Sequence, residues 1–435
     1  MALGTTQDLR STASNTPPPA SSGDQSYVLP MMLMVCLYFS IGFITALNDI
    51  LVPHFKDLFH LSNVKALLVQ FCFFGAYFVM SIPCGRIIGR IGYKPGIIAA
   101  LGTMAAGLLL FVPASIVISY PLFLFALFVV GSGLALLQVA INPYVGALGK
   151  PDTAATRISI CGFFNSFATN RAPKIGAALI FVAAGASTVE LAHSVRMPYL
   201  VLGCFTILLA VVTAIVPLPV VLGNEDASKA GASDGHAWSF RHLRLGSIAI
   251  FTYVGAEVAI GSIMISFLGQ PSMGGLSHLA AASYVSYYWG AAMIGRLIGS
   301  FALPYVRTER ALAAVAICAL LLVGVTVFGH GFFALWAIVA CGLFNSVMWP
   351  CIFPLSVKGL GKLTSQGSGI LVMMVVGGAV IPELQGLLAD HFGYAYSFVI
   401  VMLCYAYLVY FALDGYKIRQ PRFASLPDYI PPVEI

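Results

Sequence analysis

The sequence predicts an all-α membrane protein of twelve transmembrane helices in two pseudo-symmetric six-helix halves. Three observations predict it. The 435 residues are 59% hydrophobic and only 9% charged, with a mean hydropathy of +0.93, whereas a soluble domain carries roughly a quarter charged residues. The apolar residues come in long unbroken runs, and a bilayer core of about 30 Å needs about 20 apolar residues per crossing helix. The longest polar interruption falls near the middle of the chain and divides these runs into two near-equal sets.

Residues 1–26 are polar and rich in Ser, Thr and Pro, with Arg10 as the one cation. They lack the charged start, short apolar core and small-residue cleavage site of a secretory signal and are expected to form a disordered tail. The first half (27–222) holds candidate spans at 28–54, 64–84, 95–117, 120–146, 157–185 and 197–220. A linker at 223–244 follows, containing Glu225, Asp226, Lys229, Asp234, Arg241 and Arg244. The second half (245–414) holds spans at 245–268, 279–304, 311–328, 332–357, 366–388 and 393–414, before a tail at 415–435. Pro53, Pro143, Pro173, Pro350 and Pro382 are expected to kink or break the spans that hold them.

Basic residues orient the chain. With both termini on the cytoplasmic side, seventeen of the 22 Lys and Arg lie inside and only Lys56, Lys65 and Arg196 outside, leaving Arg171 and Lys174 within span five. This distribution accounts for the net charge of +6 without a nucleic-acid partner. Nine cysteines are scattered through apolar segments with no C-x-x-C pair, and are expected to be buried reduced thiols.

The halves share landmarks at a nearly constant offset. Gly85-Arg86-Ile87-Ile88-Gly89 in span two reappears as Gly295-Arg296-Leu297-Ile298-Gly299 in span eight, 210 residues later. Asn142-Pro143 pairs with Trp349-Pro350 at 207, Ala172-Pro173 with Ile381-Pro382 at 209, and Asn48-Asp49 with Ala256-Glu257 at 208. A duplicated six-helix unit is characteristic of secondary transporters, whose solute site lies between the repeats near the bilayer midplane.

Asp49 and Glu257 lie inside apolar spans at equivalent repeat positions. A carboxylate in hydrocarbon is costly unless paired, hydrated or protonated, so the two are candidates for binding and releasing a coupling cation. A structural hydrogen-bonding role is the alternative. Uncharged polar and aromatic side chains within spans form the candidate solute site: Asn48, Gln70, Gln138, Asn142, Asn165, Tyr288, Asn345, Trp349 and Gln385, with Trp289 as a further stacking surface. Amides donate and accept hydrogen bonds, matching a solute ringed by hydroxyls; interhelical bonding is the competing reading. The Gly85 to Lys94 loop, with Arg86 and Arg90, and the basic residues Arg157 and Arg296 are candidate gate elements that pair with helix C-termini; anchoring on the positive side is the plain alternative. No H-E-x-x-H, P-loop or G-x-S-x-G motif occurs, so no metal, cofactor or enzymatic activity is expected.

The chain resembles the fucose/glucose–galactose permease family of the major facilitator superfamily over nearly all of its membrane region. The resemblance is carried by Leu47 to Pro53 (LNDILVP), Gln70 to Phe78 (QFCFFGAYF), Leu137 to Tyr144 (LQVAINPY), Phe164-Asn165-Ser166, Gly255 to Val258 (GAEV), Tyr288-Trp289-Gly290, Phe344 to Pro350 (FNSVMWP) and Gly359 to Gly369 (GLGKLTSQGSG). It implies the major facilitator fold and uptake of a monosaccharide by alternating access, coupled to H⁺ or Na⁺, in the inner membrane of a bacterium. Asp49 matches the coupling aspartate of the fucose branch. Gln138 stands where that branch has a glutamate, as in the glucose/galactose and N-acetylglucosamine branch. Asn165 matches a sugar-site asparagine. Two departures stand out. Gly162 replaces an amide, which would leave room for a larger sugar. Asn170-Arg171 replaces small or apolar residues, so that Arg171 either faces the cavity and a carboxylate such as Asp49 or Glu383 or is an engineered, conformation-biasing residue. A monomer is expected, in contact with sugar and lipid. An exporter or permease for another small polar solute is the alternative.

Overall fold

The computed structural model describes residues 27–61, 63–180, 187–220, 236–273 and 275–418. The expected tail at 1–26, residues 419–435 of the expected tail at 415–435, and residues 221–235, which hold the first part of the expected linker at 223–244, lie outside the described residues. The chain forms α1 (Val28–Phe59), α2 (Asn63–Ile91), α3 (Tyr93–Val117), α4 (Tyr120–Ala147), α5 (Ala154–Ile180) and α6 (Thr188–Ile215). The second half forms α7 (Arg241–Leu268), α8 (His278–Ala302), α9 (Thr308–Phe328), α10 (Gly331–Val357), α11 (Gly361–Phe392) and α12 (Tyr394–Gly415). Among the described residues, ten stretches are long and apolar enough to cross a bilayer. The other two rods, α5 and α8, carry the polar residues through which the halves meet.

Helix ends follow local chemistry. Gly92, at φ 87°, makes the tight turn between α2 and α3, a conformation a Cβ would disfavour. α6 starts earlier than its apolar run, because Ser187 and Glu190 cap it reciprocally: Glu190 N–H donates to Ser187 Oγ (3.3 Å) and Ser187 N–H to Glu190 Oε2 (2.7 Å). α6 is interrupted at Val195, three residues before Pro198, which cannot donate to Ser194. α10 is broken at Ser346–Val347, between Asn345 and Met348, where Pro350 lacks the N–H that would bond Ser346. α7 begins at Arg241, inside the expected linker.

The packing repeats itself with a shift of six helices. In the first half α1 packs on α5, α2 and α3 on α4, and α3 on α6; in the second α7 packs on α11, α8 and α9 on α10, and α9 on α12. The halves meet chiefly through α2 against α11 and α5 against α8, with smaller contacts of α4 on α11 and α5 on α10; the same shift exchanges the members of each pair. The nine cysteines are free; Cys84, Cys161, Cys341, Cys351 and Cys404 are buried, while Cys36 and Cys204 are exposed on the bundle surface.

Candidate functional site

Polar residues inside the second half form one connected chain. Tyr405 O–H donates to Asn345 Oδ1 (2.6 Å), Asn345 Nδ2 donates to Tyr288 O–H (2.8 Å), and Tyr288 O–H donates to the Glu257 carbonyl (3.0 Å). The Glu257 carboxylate is buried and accepts from Tyr253 O–H at Oε2 (2.9 Å). Its other oxygen, Oε1, lies 4.0 Å from Arg296 Nη2 and accepts no hydrogen bond among the described residues. Trp349 packs between Tyr253 and Phe353.

Arg296 reaches out of its own half. Its Nη1 donates to the Gly162 carbonyl (3.2 Å) and to Ser166 Oγ on α5, while its backbone carbonyl accepts from Ser159 Oγ (2.9 Å). A Cβ on Gly162 would lie 3.4 Å from Arg296 Cδ, so the space left at residue 162 is occupied by this arginine in the present arrangement. The candidate cation site Glu257 and the candidate gate Arg296 are therefore neighbours, joined to the first half through α5.

The first half mirrors part of this design. Gln138 Nε2 on α4 donates to Tyr77 O–H on α2 (3.0 Å), as Asn345 on α10 donates to Tyr288 on α8. Tyr38 O–H donates to Asn142 Oδ1 (2.5 Å), and Asn165 Nδ2 donates to the Tyr38 carbonyl (2.9 Å). These contacts draw α1, α2, α4 and α5 together at Gln138, Asn142 and Asn165.

Other candidates are distributed more widely. Asn48 donates to Gln70 Oε1 (2.6 Å) and lines a void of about 10 Å³ inside the first bundle, with Phe73, Leu127 and Tyr199. Asp49 lies in α1, but its side chain is outside the described residues, as are those of Pro53, Pro173 and Lys174. Gln385 on α11 is buried, and neither amide atom has a hydrogen-bond partner among the described residues. Tyr288 is fully buried, whereas its neighbour Trp289 is 39% exposed. Arg157 caps the end of α4, donating to the Val145 (2.9 Å) and Gly146 (2.5 Å) carbonyls, and Lys94 donates to the Val216 carbonyl at the end of α6 (2.9 Å). Arg86 and Arg90 are exposed.

Arg171 is exposed and sits over the Phe167 ring at 5.4 Å. At about 100° per residue it is about 140° around α5 from Ser166, the residue that touches Arg296. It shares that outer stripe with Phe164, Phe167 and Ile175, all exposed. Among the described residues no carboxylate oxygen lies within 4 Å of it, so it does not make the expected carboxylate contact with Glu383.

Every hydrogen bond between the halves among the described residues lies toward the end of the molecule that carries the α2–α3, α4–α5, α8–α9 and α10–α11 loops. They are the three bonds of Arg296 and Ser159 to the opposite helix and Ser368 Oγ to the Val139 carbonyl (2.9 Å). Beyond this seal, at the same basic end, a cavity of about 1080 Å³ is lined by the ends of α4 and α10, the start of α5 and the α8–α9 turn. Asn142 is the one candidate residue that borders it.

The residues sequence reading passed over are Tyr38, Tyr77, Tyr253 and Tyr405. Their signal was present: a buried tyrosine within an apolar helix must find a partner for its hydroxyl.

Comparison with known proteins agrees with this arrangement. The sequence profile of the Major Facilitator Superfamily matches residues 34–381. The chain is 48% identical over 398 residues to a glucose/galactose transporter of Brucella abortus, spanning 91% of this chain and 96% of that one. A crystal structure of the E. coli fucose:proton symporter FucP superposes with a TM-score of 0.83 at 30% identity, covering 90% of this chain and 99% of that one. FucP in its outward conformation superposes with a TM-score of 0.80 at 31% identity, covering 89% and 99%.

Proposed function

Because the chain belongs to the major facilitator superfamily, we propose that it is a cation-coupled symporter that imports a monosaccharide of the glucose/galactose type by alternating access. The observation that carries this reading is an amide–tyrosine network in each repeat, the second beside a buried carboxylate whose neighbour Arg296 reaches α5 of the first. Hydroxyl-rich solutes are matched by amides, and a carboxylate held away from water is retained where it exchanges a cation.

The proposed solute ligands are Gln138, Asn142, Asn165, Asn345 and Gln385. The unused hydrogen-bonding capacity of the Gln385 amide favours it, since a buried amide without partners is costly. Asp49 is proposed to carry the coupling ion, H⁺ or Na⁺, with Glu257 assisting through Arg296. With the basic end in the cytoplasm of a bacterial cell, the Arg296 and Ser368 contacts close the inner side and the sugar site opens outward.

Reconstituted transport tests the reading. Proteoliposomes should accumulate labelled glucose or galactose under an inward H⁺ or Na⁺ gradient, and the gradient that drives uptake identifies the ion. Asp49→Asn should lose accumulation while retaining counterflow, in which no net ion movement is needed. Undiminished accumulation by Asp49→Asn would remove its coupling role.

A further inference from the structure

We propose that Trp289 is the platform on which the sugar ring stacks, and that Asn170 opposes it from the other half. This rests on the reading of the chain as a sugar symporter and names two contacts within its site.

The placement follows from α8. Arg296 faces α5, and Trp289, seven residues earlier, lies on nearly the same face, about 10 Å nearer the open end. The opposite face of α8 carries Tyr287, Ile294, Ile298 and Phe301, all exposed in a lipid-facing stripe. The 39% exposure of Trp289 is therefore exposure to the seam between the halves, not to lipid. Its indole lies against α7 at Gly261, where a Cβ would be 3.5 to 3.8 Å from three indole atoms. Gly261 is one turn beyond Glu257, so the indole covers α7 immediately above the buried carboxylate. The ring is thus backed by α7 at Gly261 and still partly exposed.

On α5 the face toward α8 is marked by Ser159, Gly162 and Ser166, all in contact with Arg296. Asn170 is one turn farther toward the open end, on that side, and exposed. Arg171 is about 100° away, among the lipid-facing side chains. Of the adjacent pair Asn170-Arg171 that departs from the family pattern, Asn170 is the one on the seam.

The two contacts read different features of a sugar. An aromatic face packs on a C–H face of a pyranose and makes no directional hydrogen bond to any one hydroxyl. An amide donates to and accepts from particular hydroxyls, and a site built around such a bond discriminates strongly against solutes that cannot make it. Trp289 should set affinity for monosaccharides in general, and Asn170 the preference among them.

Tryptophan fluorescence of the purified full-length protein, titrated with glucose and galactose, provides the test alongside uptake. Wild type should give a saturable change that persists in Trp336→Phe and is lost or strongly reduced in Trp289→Phe. Trp289→Ala should raise the half-saturating concentration for both sugars about ten-fold, and Trp289→Phe, which keeps a ring, by less. Asn170→Ala should change the ratio of the two half-saturating concentrations. A wild-type response and wild-type affinity in Trp289→Ala would overturn the platform, and an unchanged ratio would remove Asn170. A wild type that shows neither fluorescence change nor counterflow with any monosaccharide would instead overturn the sugar reading itself, and this inference with it.

Discussion

Arg296 serves two neighbours at once. Its guanidinium donates to Gly162 and Ser166 across the seam and stands 4.0 Å from the Glu257 carboxylate within its own half. If the halves part at this end, the α5 bonds are lost, and Glu257 is the remaining partner for a buried cation. Removing one member of such a buried pair costs about 3–5 kcal/mol, whereas replacing both is often near neutral. Arg296→Ala should accordingly lower the melting temperature in detergent, and the double replacement Glu257→Gln with Arg296→Gln should recover most of it without recovering transport. A single Arg296→Ala variant as stable as wild type would show that the pair is not energetically coupled. The two members were legible separately in the sequence, because a charge in an apolar run stands out. Their adjacency was not, since it depends on helix phase and side-chain reach. Tyr288 and Trp289 make the same point: they are consecutive, yet one is sealed in the bundle and the other opens on the seam, and composition does not distinguish them.

Helices α2 and α11 cross at glycine and serine. A Cβ on Gly369 would lie 2.5 Å from the Ser81 carbonyl oxygen, and one on Gly85 2.7 Å from that of Ser365. Both obstacles are backbone, which cannot turn aside, so this close crossing requires bare α-carbons. The small-residue run ending at Gly369 and the Gly85–Gly89 motif were both evident in the sequence, but nothing in either names the helix it meets. Gly369→Val should wedge the seal open and shift the molecule toward its other state. In a cysteine-free background, Ile158→Cys, which lines the cavity at the basic end, should then react faster with a maleimide than in the Gly369 parent. Equal rates would mean that the crossing does not hold the seal. Kinks were less legible than crossings: Pro350 marked the break in α10, whereas the interruption of α11 at Met374–Val376 lies eight residues before Pro382, where Gly377 is pressed against the Phe251 carbonyl.

The molecule as a whole is a repeat in which the main packing pairs of the first half recur in the second, and the main inter-half contacts exchange under the same shift. Twofold logic of this kind makes the seam self-similar, so small rotations of one half against the other can close either end without rebuilding either bundle. The sequence carried this scale best, because offsets of 207 to 210 residues survive whatever the side chains do. It did not carry the conformational state, which is a matter of a few contacts at one end. Those contacts lie at the basic end, and lysine and arginine gather on the cytoplasmic side of membranes. The state seen here should therefore expose the seam to the outside. Asn170→Cys in a cysteine-free protein tests orientation and state together. In right-side-out vesicles it should react with a membrane-impermeant maleimide and be protected by glucose or galactose, while in inverted vesicles it should react slowly. Reaction confined to inverted vesicles would reverse the orientation or the state assigned here, and labelling of Ile158→Cys in the same two preparations separates these cases. A reversed orientation leaves Ile158→Cys accessible from outside, whereas a reversed state leaves it accessible from the cytoplasmic side.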